Sequence, residues 1–197
     1  QSPLTPFDVV SPPFTTTITS IPLYQFISPF SFSKKTTMSS EWQPYVDTYM
    51  VEKGHIGKAA IMSYPDGAVS ACTPDFYPQA YTADTYDDEG NAIQIQVDEV
   101  QGIISCAGTD WASASAGGLR LNKKKYMWLG TGEETIEDYG MTIKYARAKQ
   151  GAQLSACLCY SETAVLIAVS DKSQGHDFAQ CIKDTCELAA YLKSTGY

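Results

Sequence analysis

The chain lacks most of the residues from which catalytic and metal sites are commonly built. It has two histidines, His55 and His176, and none of its six cysteines forms a Cys-x-x-Cys pair. A zinc site would therefore have to recruit scattered thiolates. The run Gly130-Thr131-Gly132-Glu133-Glu134 lacks the lysine of a phosphate-binding loop and carries carboxylates where phosphates would lie. We expect no metal, no cofactor and no catalytic residue, and an enzyme is the less favoured class.

A basic excess and a long apolar run are also missing. The formal net charge is −8 and the pI is about 4.7, which argues against general binding to nucleic acid or anionic lipid. No apolar stretch is long enough to span a bilayer. The cysteines show no secretory spacing, so we expect reduced thiols and a cytoplasmic protein. With 44% hydrophobic residues, the 197 residues can form one domain with a sizeable core.

Residues 1–37 differ in composition from the rest of the chain. They hold six prolines, many serines and threonines, and only three charged residues. Because prolines at these intervals interrupt helix and strand patterns, we predict a disordered leader, with Met38 as a candidate natural start. The piece Ser11-Pro12-Pro13-Phe14 could alternatively act as a tethered ligand, an idea that two adjacent prolines support only weakly.

The stretch after Met38 predicts an amphipathic helix. Ser40 and Gln43 have the spacing of a capping box, which indicates a helix start. An aromatic row and an adjacent aliphatic stripe follow: Trp42, Tyr45 and Tyr49, and Val46 and Met50. Such a helix can bury the aliphatic stripe and present the rings. Burial of all the rings in the core is the alternative, and the spacing alone favours it.

The remainder predicts consecutive antiparallel strands followed by a helix. Hairpins are expected where turn residues separate apolar segments. The predicted elements are hairpins at 58–72, 117–130 and 153–170, strands at 93–97 and 140–147, a helical turn at 98–104 and a helix at 178–193. This order is typical of an α+β fold in which terminal helices cover one antiparallel sheet.

Residues 73–101 are an acidic insertion in this pattern. Residues 73–92 are polar and rich in tyrosine, and Asp87-Asp88-Glu89-Gly90-Asn91 could be mistaken for a calcium loop. That run lacks the alternating ligand spacing and the closing glutamate of such a loop, so we expect a solvated loop.

The cysteines leave one enzymatic alternative open. Cys157 and Cys159 lie two apart on a predicted strand and therefore share a face. Small buried thiols are the expected reading, and a thiol-dependent enzyme that uses either cysteine is the alternative. Cys181 and Cys186 are expected to point to different sides of the last helix.

Residues 38–197 resemble a profilin. The resemblance rests on four segments: Trp42-Gln43-Pro44-Tyr45-Val46-Asp47, Ala59-Ala60-Ile61 before an Asp-Gly hairpin, Gly118-Leu119-Arg120-Leu121 leading into Lys125-Tyr126, and a closing helix that ends in Tyr197. The acidic insertion and the Ser-Thr-Gly-Tyr ending are most similar to profilins of alveolate protists. The resemblance implies a central antiparallel sheet with the N- and C-terminal helices packed together on one face and short helices on the other.

The resemblance implies a groove between the terminal helices that binds proline-rich segments, such as those of formins. The matching positions are Trp42, Tyr45, Tyr191 and Tyr197. A polyproline II ligand offers flat rings and free carbonyls, which aromatic faces and phenol or indole donors recognise. Ser70 stands where many profilins have another aromatic residue, and that loss should weaken the groove by about 1–2 kcal/mol.

The resemblance also implies a surface for monomeric actin, at the end of the actin monomer that would otherwise join a filament's fast-growing end. The matching basic positions are Lys125, Lys144, Arg147, Lys149, His176 and Lys183. Solvated charge is the alternative reading for each of them. An arginine often found near Gly130 is absent, and Ile182 replaces a common polar contact, so we expect weak actin binding.

The implied function is a monomeric, cytoskeleton-associated adaptor that delivers actin monomers to elongation factors. The acidic balance argues against phosphoinositide binding. The alternative function is that of a module that binds proline-rich peptides and has little affinity for actin.

Overall fold

The computed structural model describes residues 41–108 and 118–197. The predicted leader, its tethered-ligand piece and Ser40 lie outside the described residues. In chain order the described elements are a π-helix Tyr45–Val51 (the N-terminal helix), β1 Lys58–Ser63, β2 Val69–Cys72, β3 Ala80–Tyr86, β4 Ala92–Asp98, α1 Glu99–Gly108, β5 Leu119–Leu121, β6 Lys124–Ile136, β7 Met141–Gln150, β8 Leu154–Tyr160, β9 Ala164–Asp171 and α2 Phe178–Ser194, with 3-10 turns at Glu137–Tyr139 and Lys172–Gln174.

Seven of the described strands form one antiparallel sheet in the order β2-β1-β9-β8-β7-β6-β5. Most neighbours are hairpin partners along the chain. The exception is β1, which pairs with β9 from Lys58 opposite Val169 to Ser63 opposite Ala164. This pairing closes the sheet between the first and last parts of the domain, and it places the N-terminal helix beside α2.

Helices cover both faces of the sheet. On one face α1 contributes Ile103 to a buried cluster that includes alternate strand residues such as Met62, Leu158 and Ile167. The N-terminal helix and α2 contact each other and cover the other face. All residues of β9 from Ala164 to Ser170 are buried, because a strand covered on both sides reads as a continuous apolar run. The predicted α+β fold is confirmed.

The acidic insertion contains a strand that the sequence analysis missed. Residues Ala80–Tyr86 form β3, which pairs with β4 along its whole length. Its side chains alternate between exposed and half-buried positions, so the apolar alternation that reveals a strand is weak. The turn at its end is solvated as predicted, and the Asp87 carboxylate accepts hydrogen bonds from the backbone N–H and the side-chain amide of Asn91.

Strand β6 is longer than predicted. It continues past Gly130 to Ile136, so the glycine-rich run lies within a strand rather than a loop. The register with β7 shifts between Trp128 and Gly130, which is typical of a β-bulge. At Gly132 a Cβ atom would lie 2.5 Å from the Tyr145 ring, so a larger residue there would require the Tyr145 side chain to move.

Four cysteines form a buried cluster between β8 and α2. The Cys159 Sγ lies 3.7 Å from that of Cys157 and 3.4 Å from that of Cys186. Cys181 and Cys186 are both fully buried, despite their spacing, because α2 contacts the N-terminal helix as well as the sheet. The prediction of buried structural thiols is confirmed.

We expect alkaline pH to destabilise the fold through its buried thiols, which include Cys106 on α1. Burial raises the pKa of Cys106 to about 11 from its ordinary 9.0 and also raises those of Cys159 and Cys181. Unfolded thiols ionise near pH 9, whereas the folded ones stay protonated. The free energy of unfolding should therefore fall by about 1.4 kcal/mol per pH unit for each such thiol between pH 9 and 11. Urea unfolding at pH 8, 9 and 10 measures this, and Cys106→Ala should show a shallower dependence than the parent.

Candidate functional site

Aromatic side chains from both ends of the domain meet in one cluster. The N-terminal segment supplies Trp42 and Tyr45, with ring centroids 5.5 Å apart. Tyr191, near the end of α2, stacks on Tyr45 at 6.2 Å and an interplanar angle of 29°. Tyr197 meets Trp42 edge-on at 5.5 Å. The structure thus brings all four residues predicted for the proline groove together.

The aliphatic stripe of the N-terminal helix holds its aromatic row in place. Val46 and Met50 are fully buried, whereas Trp42, Tyr45 and Tyr49 keep part of their surface exposed. The helix has no side-chain cap at Pro44. Gln43 instead donates hydrogen bonds to Asp47 and to the backbone carbonyl of Cys72 in β2. Packing and this tether, rather than a cap at Pro44, therefore orient the rings.

The C-terminal ring is held by backbone hydrogen bonds. After α2 the chain reverses through Gly196, which has a φ of +89°, a conformation that glycine adopts at little cost. The backbone N–H of Tyr197 then donates to the carbonyl of Leu192 at 2.9 Å, and its carbonyl accepts from the N–H of Glu162 at 3.2 Å. Both bonds fix Tyr197 against Trp42.

Two further tyrosines extend the cluster. Tyr49 lies 5.7 Å from Tyr45 on the same helix. Tyr139, in the 3-10 turn between β6 and β7, lies 6.4 Å from Tyr191. Tyr49 belongs to the predicted aromatic row but not to the predicted groove. No sequence signal predicts Tyr139, because no local pattern links a residue of a 3-10 turn to a helix some fifty positions later.

The phenols of the cluster are neutral donors. Burial, followed by a hydrogen bond with Tyr191, raises the pKa of Tyr45 well above its usual range. Burial likewise raises the pKa of Tyr49, Tyr139 and Tyr197. Their hydroxyl groups therefore stay protonated at neutral pH and can donate hydrogen bonds to carbonyl oxygens.

Not every ring offers a face to a ligand. Tyr191 is 9% exposed, because it is packed between Tyr45 and Tyr139. Its buried ring separates the half-exposed rings of Tyr45 and Tyr139 and fixes the distance between them. Ser70 on β2 adds no ring, and its Oγ lies 3.3 Å from that of Ser63. The arrangement suits a flat apolar ligand whose carbonyls point at the phenols.

The predicted actin-binding residues divide between the two faces of the sheet. Tyr145, Arg147 and Lys149 alternate with the core residues Ala146 and Ala148, so they point toward the α2 side. Lys125 belongs with them, because it lies two residues from Met127, whose cross-strand partner is Lys149. Lys144 points to the opposite face and pairs with Glu133 at 3.8 Å. The structure therefore separates Lys144 from the rest of the strand set.

The surface that carries Lys125 and Lys149 also contains apolar groups. Met127, the cross-strand partner of Lys149, is 57% exposed. The two lysines, Met127 and Trp128 line an open cavity of about 660 Å³. Arg147 has a buried Nε with no hydrogen-bond partner within the described part of the chain. Mixed basic and apolar surfaces of this kind are typical of protein interfaces.

The two remaining predicted actin residues differ in their surroundings. His176 Nδ1 accepts a hydrogen bond from the backbone N–H of Asp171 at 3.1 Å, and its ring fills the space above Gly57. That placement is structural. Lys183 is exposed on α2.

A metal site needs several ligating side chains close together, and a membrane span needs a long apolar helix. Within residues 41–108 and 118–197, no group of three or more His, Cys, Asp or Glu side chains is placed to hold a metal ion. Among the helices of those same ranges, none has the length and apolar character needed to cross a membrane.

Comparison with known proteins identifies one family. The profilin family model matches residues 40–197. Schizosaccharomyces pombe profilin is 22% identical with a TM-score of 0.57, and Acanthamoeba castellanii profilin II is 19% identical with a TM-score of 0.56. Mouse profilin IIa, solved with a double repeat from the FH1 domain of mDia1, is 23% identical with a TM-score of 0.50. Each match covers 79% of this chain and 99% of the other. No curated protein sequence matches the chain.

Proposed function

The chain belongs to the profilin family, and from that premise we propose that it binds monomeric actin on one surface and proline-rich segments on another. The observation that carries the proposal is the ring cluster between the terminal helices. Rings from the first helix and from the end of the chain lie within 5.5–6.2 Å of each other. Partly exposed aromatic rings in such an arrangement serve a recognition role more readily than a core role.

The chemistry of the cluster matches a polyproline II segment. Such a segment has no backbone N–H at its prolines, so its carbonyls remain free acceptors. Neutral phenols and the indole N–H of Trp42 are donors. The pyrrolidine rings stack on the aromatic faces, and the ligand loses little conformational entropy because it is already extended.

The proposed actin surface lies on β6 and β7 and continues to α2. It combines Lys125, Arg147 and Lys149 with the exposed side chain of Met127. Basic side chains steer association with an acidic partner, and the apolar groups supply buried area once it is docked. Lys144 is not part of this surface, since it faces the other side of β7.

Simultaneous engagement of both surfaces would deliver actin. A monomer held on the actin surface is brought to an elongation factor by its proline-rich tract. This tethering raises the local concentration of actin at the growing filament end without any new contact. The site of action is the cytoplasm, at the actin cytoskeleton.

Separate titrations test the proposal. Isothermal titration calorimetry with decaproline and sedimentation with monomeric actin should each show saturable binding. Binding of decaproline alone would reduce the protein to a proline-peptide module. Binding of neither would overturn the proposal.

We expect charge reversal on the actin surface to weaken actin binding. Lys149→Glu should lower the affinity for monomeric actin about five- to thirtyfold, because it replaces steering attraction with like-charge repulsion. Lys144→Glu is the matched control, since it makes the same charge change on the opposite face of β7. Decaproline binding should be unchanged in both variants. An equal loss of actin affinity in the two variants would contradict this placement of the actin surface.

The geometry does not favour a thiol-dependent reaction. Cys157 and Cys159 are fully buried, and burial raises the pKa of Cys159. A reactive thiol needs access and a lowered pKa, so neither condition for Cys159 is met.

A further inference from the structure

The ring cluster continues beyond the four residues assigned to the groove. We define Tyr49 and Tyr139 as its distal end and Trp42 and Tyr197 as its proximal end. Four consecutive ring contacts of 5.5–6.4 Å join the ends, in the order Tyr197, Trp42, Tyr45, Tyr191 and Tyr139. The row therefore extends from the C-terminal residue to the turn between β6 and β7.

The length of this row sets the length of ligand that it can hold. Its four steps span at most roughly 24 Å, which about eight residues of polyproline II helix cover at about 3.1 Å per residue. A ligand confined to the proximal end and Tyr45 needs only about half that length. A longer proline segment should therefore reach the distal end.

Strand β2 adds no further aromatic ring to the proximal end. Ser70 has a small half-buried side chain that lies beside Ser63. The accessible ring surface is thus displaced toward Tyr49 and Tyr139, which are both partly exposed.

The distal end also carries negative charge. Glu137 and Asp138 precede Tyr139 and are exposed, and within the described residues neither forms an ion pair. Burial, then Tyr191, then the charges of Asp138 and Glu187 raise the pKa of Tyr139, and Asp138 is its neighbour along the chain. Lys53 pairs with both Glu187 at 2.8 Å and Asp184 at 3.1 Å, so it balances only one of these two carboxylates. The exposed charge directly beside Tyr139 is that of Glu137 and Asp138.

From this geometry we propose that the distal end binds the continuation of the proline segment and prefers a lysine or arginine beside the prolines. The inference rests on the proline-binding function proposed above and specifies its ligand. Pyrrolidine rings pack on Tyr49 and Tyr139, and the cation lies near the carboxylate of Asp138 and the face of a tyrosine. Because these carboxylates are exposed, the charge preference is modest and depends on salt.

Peptide length and flanking charge test the proposal by calorimetry. Tyr139→Ala should lower the affinity for decaproline about three- to tenfold and leave that for hexaproline within about twofold. Tyr49→Ala tests the same end from the other element, in case one variant fails to fold. Tyr86→Ala is the matched control, because this tyrosine is 74% exposed on the β3–β4 hairpin.

Charge is tested with decaproline that carries one arginine at either terminus. One of these peptides should bind the parent about two- to fivefold more tightly than decaproline in low salt. Asp138→Asn should remove that difference, and a glutamate in place of the arginine should reverse it.

The possible failures are distinguishable. A parent that binds neither hexaproline nor decaproline overturns the proline-binding function and the distal end with it. In a second case the parent binds both peptides, while Tyr139→Ala and Tyr49→Ala have the same affinity for decaproline as Tyr86→Ala. That result overturns the distal end alone. Equal affinity for the arginine, glutamate and plain peptides overturns the preference for a basic residue.

Discussion

Replacing Trp42 with alanine is expected to lower the affinity for decaproline at least about thirtyfold, which corresponds to the 2 kcal/mol or more of a binding hot spot. Trp42 contacts both Tyr45 and Tyr197 at 5.5 Å. Its removal therefore deletes the largest ring and leaves two neighbours without support. Tyr197→Phe, which keeps the ring and removes one donor, should cost only about a few-fold in affinity.

Tryptophan fluorescence, followed during the decaproline titration, tests whether the ligand binds beside Trp42. Trp128 on β6 also emits, and so does Trp111, which lies outside the described residues. The change in emission on binding should disappear in Trp42→Ala and persist in Trp128→Phe. Full affinity in Trp42→Ala, measured by calorimetry, would mean that proline segments bind elsewhere on the domain.

Replacing Met50 with alanine should lower the free energy of unfolding by about 2–5 kcal/mol. The Met50 side chain is fully buried under the N-terminal helix, so truncation leaves a cavity at the anchor of the aromatic row. The affinity for decaproline should fall as well, because the rings of a loosened helix must be ordered again when the ligand binds.

The matched control for this variant is another methionine. Met127 is 57% exposed on β6, so Met127→Ala should change the free energy of unfolding by at most about 0.5 kcal/mol. Urea unfolding followed by circular dichroism compares the two. A Met50 variant that is destabilised yet binds decaproline normally would show that the groove needs no support from this contact.

The hairpins could be predicted because their information is local. Pro65 and Gly67 define one turn, and Asn122 and Lys123 define another, with φ values of 51° and 63° in the structure. Strand β3 could not be predicted in the same way. Its stability depends on pairing with β4, and its residues lack a buried face.

The residues of the candidate site could be predicted where a helical period or the family resemblance indicated them. The period gave Trp42 and Tyr45, and the resemblance gave Tyr191 and Tyr197. Tyr139 joins them only through the tertiary placement of the β6–β7 turn, which no local pattern encodes. Lys144 and Arg147 were both predicted for the actin surface, and the structure places them on opposite faces of β7, since residues three apart on a strand face opposite sides.

The pairing of β1 with β9 has a consequence for the order in which the protein forms during synthesis. The strand that β1 needs emerges about a hundred residues later, a delay of roughly 5–20 s at ordinary translation rates. Until then the N-terminal helix has neither its sheet nor α2 to cover Val46 and Met50. A nascent chain therefore exposes the aromatic row before it can recognise anything, and the binding surface is completed only when the last helix leaves the ribosome.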